Sequence, residues 1–134
     1  MGAGIKAQGD PWEDYLEATK MPAGSRLPPN FKTFDFYDAA AGTATSAKTL
    51  DTATGSKVGN PADLYKSLVK SIEAAADFKE GYKGTFKLTA NQIKSRVIEV
   101  AIPSTTTPDQ MEQINAAVRY GKRLGVTVNV TKTK

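Results

Sequence analysis

Asp35 and Lys48 stand 13 residues apart in the stretch FKTFDFYDAAAGTATSAKTLD, Phe31 to Asp51. Its residue types suit a β-hairpin. A carboxylate and a lysine on neighbouring strands of one sheet can hold a divalent cation and a scissile phosphate together. Phe31 to Asp38 is rich in aromatics and reads as the first strand. Ala39 to Gly42 is small and turn-like, and Thr43 to Leu50 is rich in threonine and returns. Alternation puts Asp35 on a face with Phe31, Thr33 and Tyr37, and Ser46 on a face with Lys48 and Leu50. The plain alternatives are a half-buried edge position for Asp35 and a solvent-facing strand lysine for Lys48. Aspartate is depleted in strands, and between Phe34 and Phe36 it costs free energy unless it is paired, which favours function at Asp35. Asp38 ends the strand and reads as a turn residue.

Composition narrows the chemistry further. The 134 residues contain no cysteine and no histidine. Thiolate nucleophiles, disulfides, Cys- or His-ligated zinc and every mechanism resting on an imidazole base are excluded. Carboxylates, lysine, hydroxyls and a hard cation such as Mg²⁺ remain. Residues 1–63 carry eight acids and six bases, residues 64–134 six acids and twelve bases, and no acid follows Glu112. A basic half facing an acid-containing half suits a protein that grips a polyanion, although solubility alone explains such charge equally well. No apolar run approaches the ~18–20 residues of a membrane span. MGAGIKAQG has no apolar core of a signal peptide, and Lys6 breaks the myristoylation pattern. Residues 1–9 read as a flexible leader or linker remnant, and 10–134 as one domain.

The elements that must position these groups follow from capping and periodicity. Asp10 as N-cap, Pro11 at N1 and Glu13 at N3 predict a first helix ending before Pro22, with Trp12, Tyr15 and Leu16 as its apolar stripe. On pattern alone Glu13 caps its own helix. Ala23 to Asn30 reads as a loop with a weak strand at Ser25–Leu27. Asn60 and Pro61 start a second helix with Leu64, Leu68, Val69 and Ile72 buried. Its Lys66, Lys70, Glu73 and Asp77 make a solvated face. Phe78 to Leu88 reads as a loop. Thr89 and Gln92 cap a short helix, and Arg96–Ile102 is a buried central strand with Glu99 as its outlier, either a site carboxylate or an exit to a solvated edge. Thr107 and Gln110 cap the last helix, with Met111, Ile114, Val118 and Gly121 inward and Gly125 as its stop. Val126, Val128 and Val130 alternate along a final strand. Helix-joined strands late in the chain imply a parallel pair, so the fold class is α/β: a single three-layer domain, a mixed sheet with flanking helices.

An acid on the first helix, Asp35 on one hairpin strand and x-Lys48 on the next resemble the layout of PD-(D/E)xK nucleases, with a restriction-endonuclease-like core. At the usual E-x-K position stands Ser46-Ala47-Lys48, with serine in place of the second carboxylate. The segments PWEDYL, FKTFDFYD and SAKTLDT, within a match from about Pro11 to the end, resemble the C-terminal toxin domains of contact-dependent growth inhibition (CDI, CdiA-type) proteins.

That resemblance implies Glu13 and Asp35 as metal ligands, Lys48 as the catalytic lysine, Ser46 beside it, and Thr49 and Asp51 as second-line candidates. It moves Glu13 from cap to ligand. It implies Mg²⁺ as the metal, with Mn²⁺ or Zn²⁺ as substitutes. It places the chain at the tip of a secreted cell-surface protein, acting in the cytoplasm of a target bacterium, with a cognate immunity protein and room for a host-cell activating factor. Arg119, Lys122 and Arg123, adjacent on the last helix, are expected to hold the phosphate backbone. The expected activity is tRNA cleavage by metal-assisted hydrolysis. The alternatives are a DNase of the same fold and a nucleic-acid-binding domain without catalysis.

Overall fold

The computed structural model describes residues 4–28, 31–50, 52 and 61–133, with side chains described from residue 11 onward. Helix α1 is Gly4–Thr19, followed by β1 (Phe36–Asp38) and β2 (Thr43–Thr49). Then come α2 (Ala62–Asp77), β3 (Glu80–Lys83), β4 (Phe86–Thr89), a 3₁₀ turn (Ala90–Gln92), β5 (Ser95–Pro103), α3 (Pro108–Arg123) and β6 (Val126–Thr133). The main sheet has the order β1-β2-β5-β6. β1 runs antiparallel to β2, while β2, β5 and β6 are mutually parallel.

Side-chain alternation divides this sheet into two faces. Ala44, Ile98, Val100, Ile102, Val126 and Val128 face α2 and α3, meeting Leu64, Leu68, Ile72, Ile114 and Ala117 in the larger core. Ala47 and Ala101 face α1, where Trp12 and Leu16 close over them and over Phe36. Three layers result, as the helix-joined parallel strands require. The α2 stripe is Leu64, Leu68, Ile72 and Ala75, one residue removed from expectation, since Val69 is only half-buried. α3 buries Gln110, Ile114, Ala117 and Gly121, while Met111 and Val118 pack at the margin. Its capping box between Thr107 and Gln110 is formed, as is the one between Thr89 and Gln92. Gly125 takes φ 81°, the left-handed stop that glycine adopts without strain.

At Gly121 helix α3 lies close against the sheet. A Cβ there would lie 2.9 Å from the Val126 carbonyl oxygen. Gly121→Ala is therefore expected to destabilise by about 1–3 kcal/mol, overriding the ~1 kcal/mol that alanine gains over glycine inside a helix. A urea titration showing equal or greater stability would contradict this packing.

The structure corrects three local expectations. α1 begins at Gly4 and carries Pro11 inside it, so Asp10 is not its N-cap and Glu13 is not at N3. The helix forgoes the hydrogen bond that proline cannot donate, and Glu13 is released from capping. Phe78 to Leu88 is not a loop: β3 and β4 pair as an antiparallel ribbon, turning at Gly84 with φ 61°. Two four-residue strands broken by glycine give too short a pattern to read. Finally, the first hairpin strand spans only Phe36–Asp38. Thr33 adopts φ 68°, a costly conformation for a β-branched residue, and bends the chain so that both Phe31 and Phe34 enter the larger core. Asp35 therefore does not share a strand face with Phe31 and Thr33. Asn60, expected to cap α2, lies outside the described residues.

Candidate active site

Asp35 sits where β1 begins. Its N–H donates to the Thr45 carbonyl at 2.9 Å, and its own carbonyl accepts from Leu27 N–H at 2.8 Å. Arg26 bridges to Phe36 on the far side, so the weakly expected Ser25–Leu27 strand survives as one isolated bridge. Pairing of β1 with β2 starts at Phe36 and Thr45. Past Thr45, among the described residues, no strand pairs with β2 on this side. Instead the Ala47 N–H donates to Asp35 Oδ2 at 2.7 Å. A side-chain carboxylate thus occupies the place of a strand partner and satisfies a backbone donor.

At this open strand edge the candidate residues come from both faces of the sheet. By alternation Ser46 and Lys48 point with Ala44 and Leu50 towards α2 and α3, whereas Ala47 points towards α1. Glu13 arrives from α1. Ser46, Lys48, Glu13 and Asp35 are all half-buried. The Asp35 carboxyl is pushed up to about 6 from its ordinary value of 3.8, chiefly by burial. The Ala47 N–H bond counters this, the negative charge of Glu13 adds to it, and the Arg26 charge opposes it. The two expected ligands therefore act on one another, the setting in which a cation replaces proton and repulsion together.

Arg26 was not anticipated. Its Nη1 donates to Asp14 Oδ1 at 2.7 Å and to Glu17 Oε1 at 3.0 Å, and its Nη2 to Glu13 Oε1 at 3.4 Å. These acids, Asp14 first, raise the guanidinium above its ordinary range. The signal in the sequence was Glu13, Asp14 and Glu17 at helical spacing with few basic partners nearby, and in the fold the Arg26–Phe36 bridge holds the arginine's backbone beside β1.

The remaining expected residues lie elsewhere. Thr49 is on the α1 side of β2 and lines a cavity of about 730 Å³ with Pro11, Trp12, Tyr15 and Lys132. Asp51 lies outside the described residues. Arg119, Lys122 and Arg123 are exposed on α3, which packs on α2 and β6, at the edge of the sheet opposite β1. The structure does not bring them to Asp35. Lys122 and Arg123 occupy the last turn of α3, where cations complement the helix dipole.

A hairpin leading into parallel strands, with an acid-bearing helix on one face and two helices on the other, defines a restriction-endonuclease-like domain. The model of the "CDI toxin restriction endonuclease-like domain" family matches residues 8–131, and the chain belongs to that family. It is 49% identical over 133 residues to "Deoxyribonuclease CdiA-o11" of Escherichia coli O157:H7 (strain EC869), covering 99% of this chain and 35% of that protein. It is 45% identical over 133 residues to "Deoxyribonuclease CdiA" of Yersinia pseudotuberculosis serotype O:3 (strain YPIII), covering 99% of this chain and 12% of that protein. The chain thus spans about a third or less of the curated relatives it matches. The "CdiA-CT/CdiI toxin and immunity complex from Yersinia pseudotuberculosis" superposes with a TM-score of 0.86 at 45% identity, covering 92% of this chain and 99% of that one.

These names correct the expected substrate. Relatives at 49% and 45% identity are named deoxyribonucleases, not tRNA-cleaving enzymes. The residues did not separate the two because lysine and arginine grip a phosphate backbone alike in DNA and RNA. Among the described residues no helix is long and apolar enough to cross a membrane.

Proposed function

We propose that this chain is a DNA-cleaving toxin domain that hydrolyses phosphodiester bonds with a divalent metal held by Glu13 and Asp35. The observation that carries this reading is Asp35: a half-buried carboxylate at an open strand edge, under the field of Glu13 and beside the Ser46-Ala47-Lys48 segment. Among the described residues no three His, Cys, Asp or Glu side chains gather into a metal cluster. Two carboxylates with the Ser46 hydroxyl and solvent make an all-oxygen donor set, which fits Mg²⁺ or Mn²⁺ better than zinc. When bound, such a cation polarises the phosphate and lowers the pKa of its water.

The chain supplies the rest. The Ala47 N–H holds Oδ2 of Asp35, and Oδ1 is the oxygen this reading offers to the cation. Lys48, on the same strand face as Ser46, brings a positive charge to the oxygens on which negative charge develops. Arg26 keeps Glu13 oriented on α1. An immunity protein of the producing cell is the expected partner, because the solved relative is a toxin–immunity complex. A toxin domain with an immunity partner suits delivery into a neighbouring bacterium, and the CdiA names of the relatives support that reading.

The purified protein is expected to nick and degrade plasmid DNA in Mg²⁺ or Mn²⁺, to stop in EDTA, and to leave total tRNA intact. Agarose and denaturing gels of both substrates check this. Metal-independent cleavage, or tight salt-sensitive DNA binding without cleavage even after addition of cell extract, would overturn the reading.

A further inference from the structure

Glu99 is the residue of β5 that the proposed chemistry does not use. It is 4% exposed, in the middle of a strand whose other central residues are apolar. It lies neither at a solvated edge nor among the candidate ligands. Its Oε1 accepts from Lys20 Nζ at 3.2 Å, and its Oε2 from Asn129 Nδ2 at 2.9 Å. Its carbonyl accepts from Trp12 Nε1 at 3.0 Å. It is in register with Ala47 on β2 and Asn129 on β6. The Ala47 N–H is the donor that holds Asp35.

One residue of the central sheet thus ties down α1 near its middle, through Trp12, and just past its end, through Lys20. Lys20 N–H still donates to the Leu16 carbonyl at 2.8 Å, so helical geometry continues to that residue. Seven residues separate Glu13 from Lys20, and at 3.6 residues per turn they lie only about 20° apart around the helix. Holding Lys20 on Glu99 therefore fixes the rotation of the stripe that carries Glu13.

Stability alone does not account for a carboxylate here. Trp12, Leu16, Phe36 and Ala101 already make an apolar contact between α1 and the sheet. Replacing a buried ion pair by apolar groups is often neutral or stabilising. Apolar contact is non-directional, whereas the Lys20–Glu99 pair sets an angle, and a site tolerates only about 10–20° and ~0.5 Å of error.

We infer that Glu99 is a positioning residue of this domain: through Lys20 it fixes the rotation of α1 and thereby presents the Glu13 carboxylate to the metal beside Asp35. This rests on the metal-dependent reading above and adds to it a part of the sheet outside the ligand set.

The test is direct metal binding without DNA, by calorimetry with Mn²⁺, on wild type, Lys20→Met, Glu99→Gln and the pair together. Lys20→Met leaves the buried Glu99 carboxylate without its cation, whereas the pair Lys20→Met with Glu99→Gln is neutral on both sides and carries the test if either single variant unfolds. Thermal midpoints confirm folding. Lys20→Met is expected to weaken Mn²⁺ binding about tenfold, the scale of outer groups that orient metal ligands. Glu99→Gln should weaken it similarly, with little further loss in the pair. Glu13→Gln should then cost less in the Lys20→Met background than in wild type. Unchanged Mn²⁺ affinity in folded Lys20→Met, or strict additivity with Glu13→Gln, overturns the inference while leaving the proposed function intact. Absence of Mn²⁺ binding by wild type itself overturns both.

Discussion

Asp35→Asn is expected to lower DNA cleavage by roughly 10³-fold or more and, at pH 8, to make the protein more stable. The first effect follows from removing the charge that holds the cation. Metal stabilisation of the transition state is worth several kcal/mol, and each 1.36 kcal/mol is tenfold in rate. The second follows from the direction of the Asp35 shift. Its carboxyl lies at about 6 in the folded protein against 3.8 for the ordinary side chain, mainly because burial penalises the charged form. The folded state therefore binds the proton more tightly than the unfolded state. That contribution to stability is fully present below about pH 4 and is lost as the pH rises through 6. At 1.36 kcal/mol per unit the loss is of order 3 kcal/mol. Asparagine keeps an oxygen to accept the Ala47 N–H and carries no charge to bury. Thermal unfolding between pH 4 and pH 8 checks this: wild type should lose stability across pH 6, and Asp35→Asn should lose much less. Metal binding by wild type should weaken below pH 6, where the proton competes for the same oxygen. An Asp35→Asn protein that still cuts DNA, or is less stable than wild type at pH 8, would remove Asp35 from the site.

How far these features were legible depends on the range of the interaction that fixes them. The capping boxes at Thr89 and Thr107, the stop at Gly125 and the alternating valines of β6 each need only a few neighbouring residues, and they appear as read. The mixed sheet followed from helix-joined strands. The bend at Thr33 did not, because it exists to bring Phe31 and Phe34 into a core formed by distant elements. Pro11 inside α1 inverted the usual capping logic, so Glu13 read as a cap when it is ion-paired to Arg26. The signal for Arg26 and for Glu99 was visible only as an unmatched charge. Partners 13 and 79 residues away decide what each does. The cluster Arg119, Lys122 and Arg123 shows the opposite limit. Helical spacing placed the three correctly side by side, but sheet order put α3 across the domain from Asp35. The choice between DNA and RNA rested on no residue at all.

Phe34→Ala is expected to be the most destabilising single change near the site. The Phe34 ring is 0% exposed and meets Phe78 edge-on, with ring centroids 5.1 Å apart at 71°. Truncating a buried phenylalanine costs about 3–5 kcal/mol, from lost transfer free energy and from the cavity left behind. Domains of this size are stable by only about 5–15 kcal/mol, so the folded fraction should fall measurably at 37 °C. Urea titrations of Phe34→Ala beside Lys70→Ala, an exposed position on α2, separate this from a general sensitivity of the fold. Lys70→Ala should change stability by less than ~0.5 kcal/mol. The consequence reaches the chemistry because Phe34 anchors the bend immediately before Asp35. With the ring gone, the backbone bonds of Asp35 to Thr45 and Leu27 lose their support from below. Cleavage should then fall by more than the unfolded fraction explains. A loss below 1 kcal/mol would mean that this bend does not depend on the core, and that Asp35 is held by its hydrogen bonds alone.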